Sequence, residues 1–353
     1  MAKVLMKGNE ALCAAAIKAG CRYFFGYPIT PQNEVPEYMS RELPKVGGCF
    51  VQAESEVAAI NMVYGAAGSG ARVMTSSSSP GIALKQEGIS YIAGAELPCL
   101  IVNIMRSGPG LGGIQPGQAD YYQVTRGGGN GDYNYPVYAP YSIQEMADLT
   151  IKAFHVADKY RTPVMICGDG MLGQMMEAVE FPEEEVTELP EKPWAATGTQ
   201  GKRKPNVINS LDIVPESLER HCRDLDAKWQ EIRKNECRVE ILDVDKADVV
   251  VTAYGTVARI AMNAKKILAK EGITLGIIRP ITIWPYPYHA FDEIGKDCQA
   301  VLCVEMSMGQ MLDDVKIGVN GRHPVHFYGR TGGVVPLQEE IVDEVKKILG
   351  GAK

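Results

Sequence analysis

The residues best suited to chemistry follow a short aromatic strand predicted over residues 22–26. They read Gly-Tyr-Pro-Ile-Thr-Pro-Gln from Gly26 to Gln32. Pro31 suits the first position of a helix and Thr30 its N-cap, and such a helix start presents free backbone N–H groups, a positive dipole end and a hydroxyl. We expect this arrangement to bind a small carboxylate. The alternative is a stiff connection between a strand and a helix, in which Pro28 holds Tyr27 extended.

Two carboxylates follow the next predicted strand, at residues 49–52. Glu54 and Glu56 open an alanine-rich helix predicted over residues 57–67. Acidic residues in a first helical turn complement the helix dipole, which is the structural alternative to a functional carboxylate. The pattern alone leaves both interpretations open.

A single arginine stands at the end of a further predicted strand, at residues 99–105. Arg106 is followed by the glycine-rich segment 107–113. An arginine at a strand end beside such a loop is suited to hold an anion, although an ordinary surface arginine fits equally well. A second glycine-rich segment, 127–132, is predicted at the same end of the sheet.

These segments lie in a first half where strands and helices alternate. Apolar spacing predicts further strands at 72–75 and 163–167, and helices at 10–19, 81–95 and 142–161. Strands joined by helices of this length form a parallel sheet with helices on both faces. Ligands bind such sheets beyond the carboxyl ends of the strands, so the loops named above are expected to meet there.

The alternation is interrupted once and then resumes. From Pro182 through Glu183, Glu184 and Glu185, prolines, glycines and charges continue without an apolar period, and a charged helix is predicted at 216–236. We therefore predict an α/β protein with two doubly wound domains, at residues 1–185 and 246–353. Residues 186–245 are predicted to form a linker and connecting helix.

Composition narrows the class of protein. The 353 residues carry a formal net charge of −7, which disfavours a nucleic-acid or anionic-membrane partner. The first twenty residues lack the pattern of a signal peptide and are too interrupted to span a membrane, so a cytoplasmic location is expected. The nine cysteines include no C-x-x-C pair, which argues against a disulfide framework and a self-contained iron–sulfur site.

Taken together, the motifs resemble those of one family along essentially the whole chain. They are Gly8-Asn9-Glu10-Ala11, Gly26 to Pro31, Glu54-Ser55-Glu56, Leu97-Pro98, Val102 to Arg106, Arg279-Pro280, Trp284-Pro285 and Glu305 to Gln310. The chain resembles the α subunit of the multi-subunit 2-oxoacid:ferredoxin oxidoreductases. The resemblance implies a thiamine-diphosphate pyrimidine-binding-type first domain and a second domain similar to the C-terminal domain of transketolases.

The resemblance also implies roles for individual residues. Glu56 matches the glutamate that shares a proton with N1′ of the aminopyrimidine and so activates C2 of the cofactor. Thr30 and Arg106 match the groups that hold the substrate carboxylate, with Tyr27 beside them. Pro28 and Ile29 are expected to contact the cofactor.

The rest of the active site is expected on partner chains. Gly168-Asp169-Gly170 looks like the start of a magnesium–diphosphate motif, but residues 190–202, where its asparagines would fall, contain none. The resemblance places the Mg²⁺, the diphosphate and an iron–sulfur cluster on a β subunit, beside a γ subunit and a ferredoxin-like δ subunit. External ferredoxin, CoA and a 2-oxoacid would complete the reaction. Many relatives are expected to carry His where this chain has Asn130, whose role stays open.

The expected substrate is 2-oxoisovalerate (3-methyl-2-oxobutanoate). A dicarboxylic substrate would need a second cation, and between Arg106 and Arg126 the loop carries the apolar Leu111, Ile114 and Pro116, in a run that resembles the branched-chain members. We therefore expect oxidative decarboxylation of 2-oxoisovalerate to its acyl-CoA, as in branched-chain amino acid breakdown in anaerobes. The alternatives are 2-oxoglutarate or pyruvate as substrate, another thiamine-diphosphate enzyme component, and a non-enzymatic α/β ligand-binding protein.

Overall fold

A computed structural model of the chain describes residues 3–183, 186 and 188–351. Glu184 and Glu185 of the predicted interruption, and the first two and last two residues of the chain, lie outside the described residues.

Strands occur throughout the described chain. They are β1 (Val4–Lys7), β2 (Tyr23–Gly26), β3 (Cys49–Gln52), β4 (Val73–Ser77), β5 (Cys99–Met105), β6 (Val137–Tyr138), β7 (Pro163–Asp169), β8 (Met176–Val179), β9 (Val239–Leu242), β10 (Val249–Thr252), β11 (Leu275–Pro280), β12 (Thr282–Trp284), β13 (Ala300–Glu305) and β14 (Val325–Gly329).

Helices alternate with these strands. They are α1 (Gly8–Lys18), α2 (Glu34–Glu42), α3 (Glu56–Gly68), α4 (Ser79–Gly94), α5 (Tyr121–Thr125), α6 (Ile143–Tyr160), α7 (Gly170–Gln174), α8 (Pro215–Glu236), α9 (Gly255–Lys270), α10 (Leu312–Val319) and α11 (Gln338–Gly351). No helix among the described residues is both long enough and apolar enough to cross a membrane.

Six strands of the first half and β12 from the second build a seven-stranded sheet with the order β12-β6-β7-β5-β4-β2-β3. All neighbouring pairs from β6 to β3 are parallel, as the alternation predicts. The central strands β4 and β5 are buried along their whole length, because helices cover both faces of the sheet. The carboxyl ends of β2, β3, β4 and β5 therefore lie side by side at one edge.

The second half builds a five-stranded sheet with the order β14-β13-β10-β11-β9. Its strands are parallel except for β9, which pairs antiparallel with β11 at one edge. β9 lies within the segment predicted as linker and connecting helix, whereas β12 pairs with β6 and extends the first sheet. The predicted domain boundaries stay a prediction, and β12 crosses from the second predicted domain into the first sheet.

One buried side chain joins the two halves close to the candidate site. The amide of Gln118 donates from Nε2 to the carbonyl of Tyr254 (2.9 Å) and accepts at Oε1 from the backbone N–H of Met306 (3.0 Å). The Tyr254 hydroxyl donates to the carbonyl of Gln118 (3.1 Å). All the groups are buried, so these bonds fix the loop after β5 against the second sheet.

Candidate active site

Glu56 is the first residue of α3, directly beyond the end of β3. Its helix is capped by Ser55, whose Oγ accepts a hydrogen bond from the backbone N–H of Ala58 (3.2 Å). Glu56 is only 7% exposed, whereas Glu54 is exposed on the turn before the helix. The two carboxylates that the sequence could not separate by pattern therefore differ in burial.

The surroundings of Glu56 contain polar atoms without partners. Within the described residues, the hydroxyls of Ser77 and Ser78 are buried and have no hydrogen-bond partner. Gly81 faces them: a Cβ there would lie 2.0 Å from Ser77 Oγ and 2.7 Å from Glu56 Oε1. Buried hydroxyls normally have a partner, so the two unpartnered hydroxyls near Glu56 favour a polar ligand there, such as the aminopyrimidine of thiamine diphosphate.

The predicted helix start at Thr30 is wrong. The chain turns at Thr30 and Pro31, and α2 begins only at Glu34. The carbonyl of Pro31 accepts hydrogen bonds from Asn9 Nδ2 (2.9 Å) and Gln174 Nε2 (3.0 Å), so this segment is held by α1 and α7 rather than by helical bonds. Thr30 is therefore not an N-cap, and a carboxylate at this position would not meet a helix terminus.

Arg106 and Thr30 are nevertheless neighbours. The guanidinium of Arg106 donates from Nη1 to the carbonyl of Thr30 (2.9 Å) and from Nη2 to the carbonyl of Leu111 (3.0 Å). Arg106 is 7% exposed, and its Nε is buried without a partner among the described residues. The guanidinium thus lies at the turn that carries Thr30, and its Nε–H has no hydrogen-bond partner among the described residues.

A polar network that sequence reasoning missed holds the backbone of Arg106. Ser79 Oγ accepts from the N–H of Arg106 (3.0 Å) and donates to Asp120 Oδ2 (2.6 Å), which also accepts from Asn103 Nδ2 (2.8 Å). Burial raises the pKa of the Asp120 carboxyl, and these two hydrogen bonds together with the charge of Arg106 oppose that rise. Asn103, the polar residue of the otherwise apolar strand β5, was the signal available in the sequence.

A cavity of about 640 Å³ lies beside this turn. Thr30, Ile114 and Pro116 line it together with Met171 from the first half and Val335 from the second. Most of the lining surface is apolar, but the polar side chains of Asn33, Glu34, Gln115 and Gln174 also line the cavity, and Glu34 forms an ion pair with Lys7 (2.9 Å).

Other predicted site residues lie away from this cavity. Leu111, predicted to line the apolar pocket, is 84% exposed and does not line it. Tyr27 and Pro28 are exposed at the edge of the site, and Ile29 is partly buried. The structure thus brings Thr30 and Ile114 together, and Glu56 does not line their cavity.

The second glycine-rich segment packs elsewhere. Gly129 lies against α4, where a Cβ would come within 2.4 Å of the carbonyl of Gln86. Asn130 lines a different cavity of about 520 Å³ with Tyr64 and His221. The segment at 127–132 therefore does not join the cavity of Thr30, contrary to the expected grouping of these loops.

Asp169 has a structural role. Its carboxylate is buried and accepts from the backbone N–H groups of Met171 (3.0 Å), Leu172 (3.2 Å) and Thr256 (3.3 Å). It caps α7 and ties that helix to α9. The part of the chain that the structure describes contains no group of three or more His, Cys, Asp or Glu side chains arranged to hold a metal ion.

The sequence matches two family profiles. Residues 14–222 match the family described as pyruvate flavodoxin/ferredoxin oxidoreductase, thiamine-diphosphate binding, and residues 247–341 match core domain II of pyruvate:ferredoxin oxidoreductase. The ketoisovalerate oxidoreductase subunit VorB of Methanothermobacter thermautotrophicus is 47% identical over 99% of both chains. The 2-oxoglutarate synthase subunit KorA of Methanocaldococcus jannaschii is 37% identical over 95% of this chain and 97% of its own.

Two solved structures resemble this chain. The 2-oxoglutarate:ferredoxin oxidoreductase of Magnetococcus marinus superposes with a TM-score of 0.87 at 29% identity, over 98% of this chain; this chain spans 65% of that one. A split-gene transketolase, at 14% identity and a TM-score of 0.58, shares the fold alone. Because the first profile spans more than half of the chain and the relatives align along its full length, the chain belongs to the 2-oxoacid:ferredoxin oxidoreductase family.

Proposed function

We propose that this chain is the α subunit of a 2-oxoisovalerate:ferredoxin oxidoreductase and supplies the pyrimidine-side carboxylate and the substrate-carboxylate site. In the reaction, 2-oxoisovalerate and CoA yield the branched acyl-CoA and CO₂, and the released electrons reduce ferredoxin. The observation that carries the proposal is that Glu56, which is 7% exposed, lies against Gly81 beside the buried, unpartnered hydroxyl of Ser77.

Glu56 would act on a proton. Thiamine diphosphate, when bound, supplies the carbon nucleophile that attacks the 2-oxo group. Glu56 would hold a proton between its Oε and N1′ of the aminopyrimidine, in a pocket from which water is largely excluded. Ser77 and Ser78 place hydroxyls at the carboxyl end of β4, and because these hydroxyls have no partner they support a polar ligand there.

Arg106 and Thr30 would hold the carboxylate of the 2-oxoacid. The buried Nε–H of Arg106 has no partner among the described residues, and Thr30, whose carbonyl binds the same guanidinium, lines the cavity. A buried guanidinium already fixed by two carbonyls loses little conformational entropy when an anion binds. The network of Ser79, Asn103 and Asp120 would keep this arginine in place.

The choice of 2-oxoisovalerate rests on the apolar part of the cavity wall and on the second arginine of the loop after β5. Ile114, Pro116 and Val335 give the cavity apolar walls suited to a branched chain. Arg126, the second cation of the loop, is bound to Asp314, so it would not receive a second substrate carboxylate. The relative named for ketoisovalerate is also more similar to this chain than the relative named for 2-oxoglutarate.

The remaining groups would come from partner subunits. We propose that a β subunit provides the diphosphate site, Mg²⁺ and an iron–sulfur cluster, with γ and ferredoxin-like δ subunits completing a cytoplasmic complex. Large apolar side chains are exposed around the site edge of the sheet: Tyr27, Val57, Leu84, Leu111 and Ile114, between 36% and 84%. An exposed apolar group of this kind favours a protein interface at the place where the cofactor would be shared.

The substrate assignment is tested on the assembled complex with a viologen as electron acceptor. We expect kcat/KM for 2-oxoisovalerate to exceed that for pyruvate, because each added methylene in an apolar pocket contributes about 1–3 kcal/mol. We expect 2-oxoglutarate to be poorer still, because its second carboxylate would lack a cation. A preference for 2-oxoglutarate would overturn the substrate assignment.

A further inference from the structure

The core of the first half contains a lysine with no exposed surface. Lys85 lies on α4 between Ile82 and Ile89, at helical spacing on the face that packs against the sheet. That pattern predicts an apolar residue. Lysine is almost never fully buried without a charged partner, because removing an ammonium from water is costly.

The contacts of Lys85 lead to the candidate active site. Its Nζ donates to Thr75 Oγ1 on β4 (3.1 Å) and to the backbone carbonyl of Glu56 at the start of α3 (3.4 Å). Both acceptors are neutral, and no carboxylate in the described chain lies within ion-pair distance of Nζ. The ammonium therefore sits directly behind the residue whose carboxylate faces the proposed ligand pocket.

Glu56 is also the charged group that acts on Lys85. Burial lowers the pKa of Lys85 to about 8, and the charge of Glu56 opposes that shift. A lysine that only joined α4 to β4 and α3 would not need its charge, and a neutral side chain would avoid the cost of burying it. The buried ammonium of Lys85 therefore indicates a role other than packing.

We propose that Lys85 is a positioning residue that sets the proton distribution of Glu56, stabilising its carboxylate form so that the shared proton stays on the ligand nitrogen. This inference rests on the proposed role of Glu56. In the step concerned, an O–H bond of Glu56 breaks and an N–H bond at N1′ forms, and the positive charge of Lys85 favours the carboxylate that remains. Lys85 does not touch the ligand and acts through Glu56.

The test uses the assembled complex and measures hydrogen–deuterium exchange at C2 of thiamine diphosphate together with the dissociation constant of the cofactor. Lys85→Met keeps an unbranched side chain that is one atom shorter, and it removes the charge. We expect exchange to slow by about tenfold or more, as the loss of a charge in a low-dielectric site implies, while the dissociation constant changes by less than about threefold. Thr75→Val is the matched control, since it removes a hydrogen bond of Lys85 and leaves the ammonium.

A double-mutant cycle with Glu56→Gln separates the outcomes. If Lys85 acts through Glu56, adding Lys85→Met to Glu56→Gln slows exchange no further. Equal slowing by Thr75→Val and Lys85→Met would show a packing role and overturn the inference. Slow exchange in Glu56→Gln with normal exchange in Lys85→Met would overturn this inference alone, whereas normal exchange in Glu56→Gln would overturn the proposed role of Glu56. Should Lys85→Met fail to assemble, Lys85→Gln takes its place with the same expectations.

Discussion

The guanidinium of Arg126 contacts both oxygens of the fully buried Asp314 carboxylate, from Nη2 at 2.9 and 2.8 Å. The same carboxylate accepts hydrogen bonds from the hydroxyls of Tyr121 and Tyr288. Through Asp314, these bonds join the segment after β5, which carries Tyr121 and Arg126, to α10 in the second half of the chain. Arg126 therefore has a structural partner, which removes it from the cations available to a substrate.

Arg126→Met should thus change stability and leave specificity unchanged. We expect the free energy of unfolding to fall by about 2 kcal/mol, less than for a fully buried pair because Arg126 is 44% exposed and solvent screens its charge. Urea unfolding measures this loss. The ratio of kcat/KM for 2-oxoglutarate to that for 2-oxoisovalerate should stay constant, and a change in the ratio would place Arg126 in the substrate site.

A cation introduced into the cavity should alter substrate preference. Ile114 lines the cavity with Thr30, so Ile114→Arg would offer a partner to a second carboxylate. We expect the ratio of kcat/KM for 2-oxoglutarate to that for 2-oxoisovalerate to rise by about tenfold or more. Leu111→Arg is the control, since Leu111 lies in the same loop but outside the cavity. Equal effects of the two variants would mean that the cavity is not the substrate site.

The isolated chain should bind thiamine diphosphate weakly or not at all. Asp169 of the Gly-Asp-Gly segment is occupied with capping α7, and the described residues contain no metal-binding cluster. Calorimetry on the chain alone and on the complex, each with and without Mg²⁺, measures the difference. Tight, magnesium-dependent binding to the chain alone would contradict a shared cofactor site.

Lys85 should leave a signature in the pH dependence of stability. Its pKa is about 8 in the folded protein against 10.5 for a free lysine, so the unfolded chain binds more protons between these values. Folding is therefore penalised by this residue below about pH 8, and the penalty disappears as the pH rises through 10.5. Between about pH 8 and 10.5, the free energy of unfolding of the wild type should rise by about 3 kcal/mol relative to that of Lys85→Met, as measured by urea unfolding. A constant difference would show that Lys85 has an ordinary pKa.

Features that depend on strand alternation were predictable from the sequence. Parallel strands place their carboxyl ends at one edge, which is why the sequence alone assigns both Arg106 and Glu56 to loops at that edge. The start of α2 was not predictable, because the carbonyl of Pro31 is bound by Asn9 and Gln174, which lie 22 and 143 residues away. Long-range side-chain bonds of this kind override local helix signals and leave no trace in the spacing.

Two further features escaped sequence reasoning for the same reason. β12 was not predicted, since three residues carry little periodicity and their pairing with β6 depends on the way the halves meet. Lys85 was not singled out, because a lysine within a helix is usually a surface residue and only the packing shows its burial.

We propose that this chain supplies the proton-sharing carboxylate of a thiamine-diphosphate site, and that Glu56 is that group. The most direct test is hydrogen–deuterium exchange at C2 of thiamine diphosphate in complexes that carry Glu56→Gln or Glu54→Gln. Glutamine keeps the shape of each side chain and removes the carboxyl proton. We predict that Glu56→Gln slows exchange on the order of 10²-fold or more while the cofactor still binds. Because Glu54 is exposed, the complex with Glu54→Gln should show the exchange rate of the wild type. Normal exchange in Glu56→Gln with slow exchange in Glu54→Gln would contradict the account.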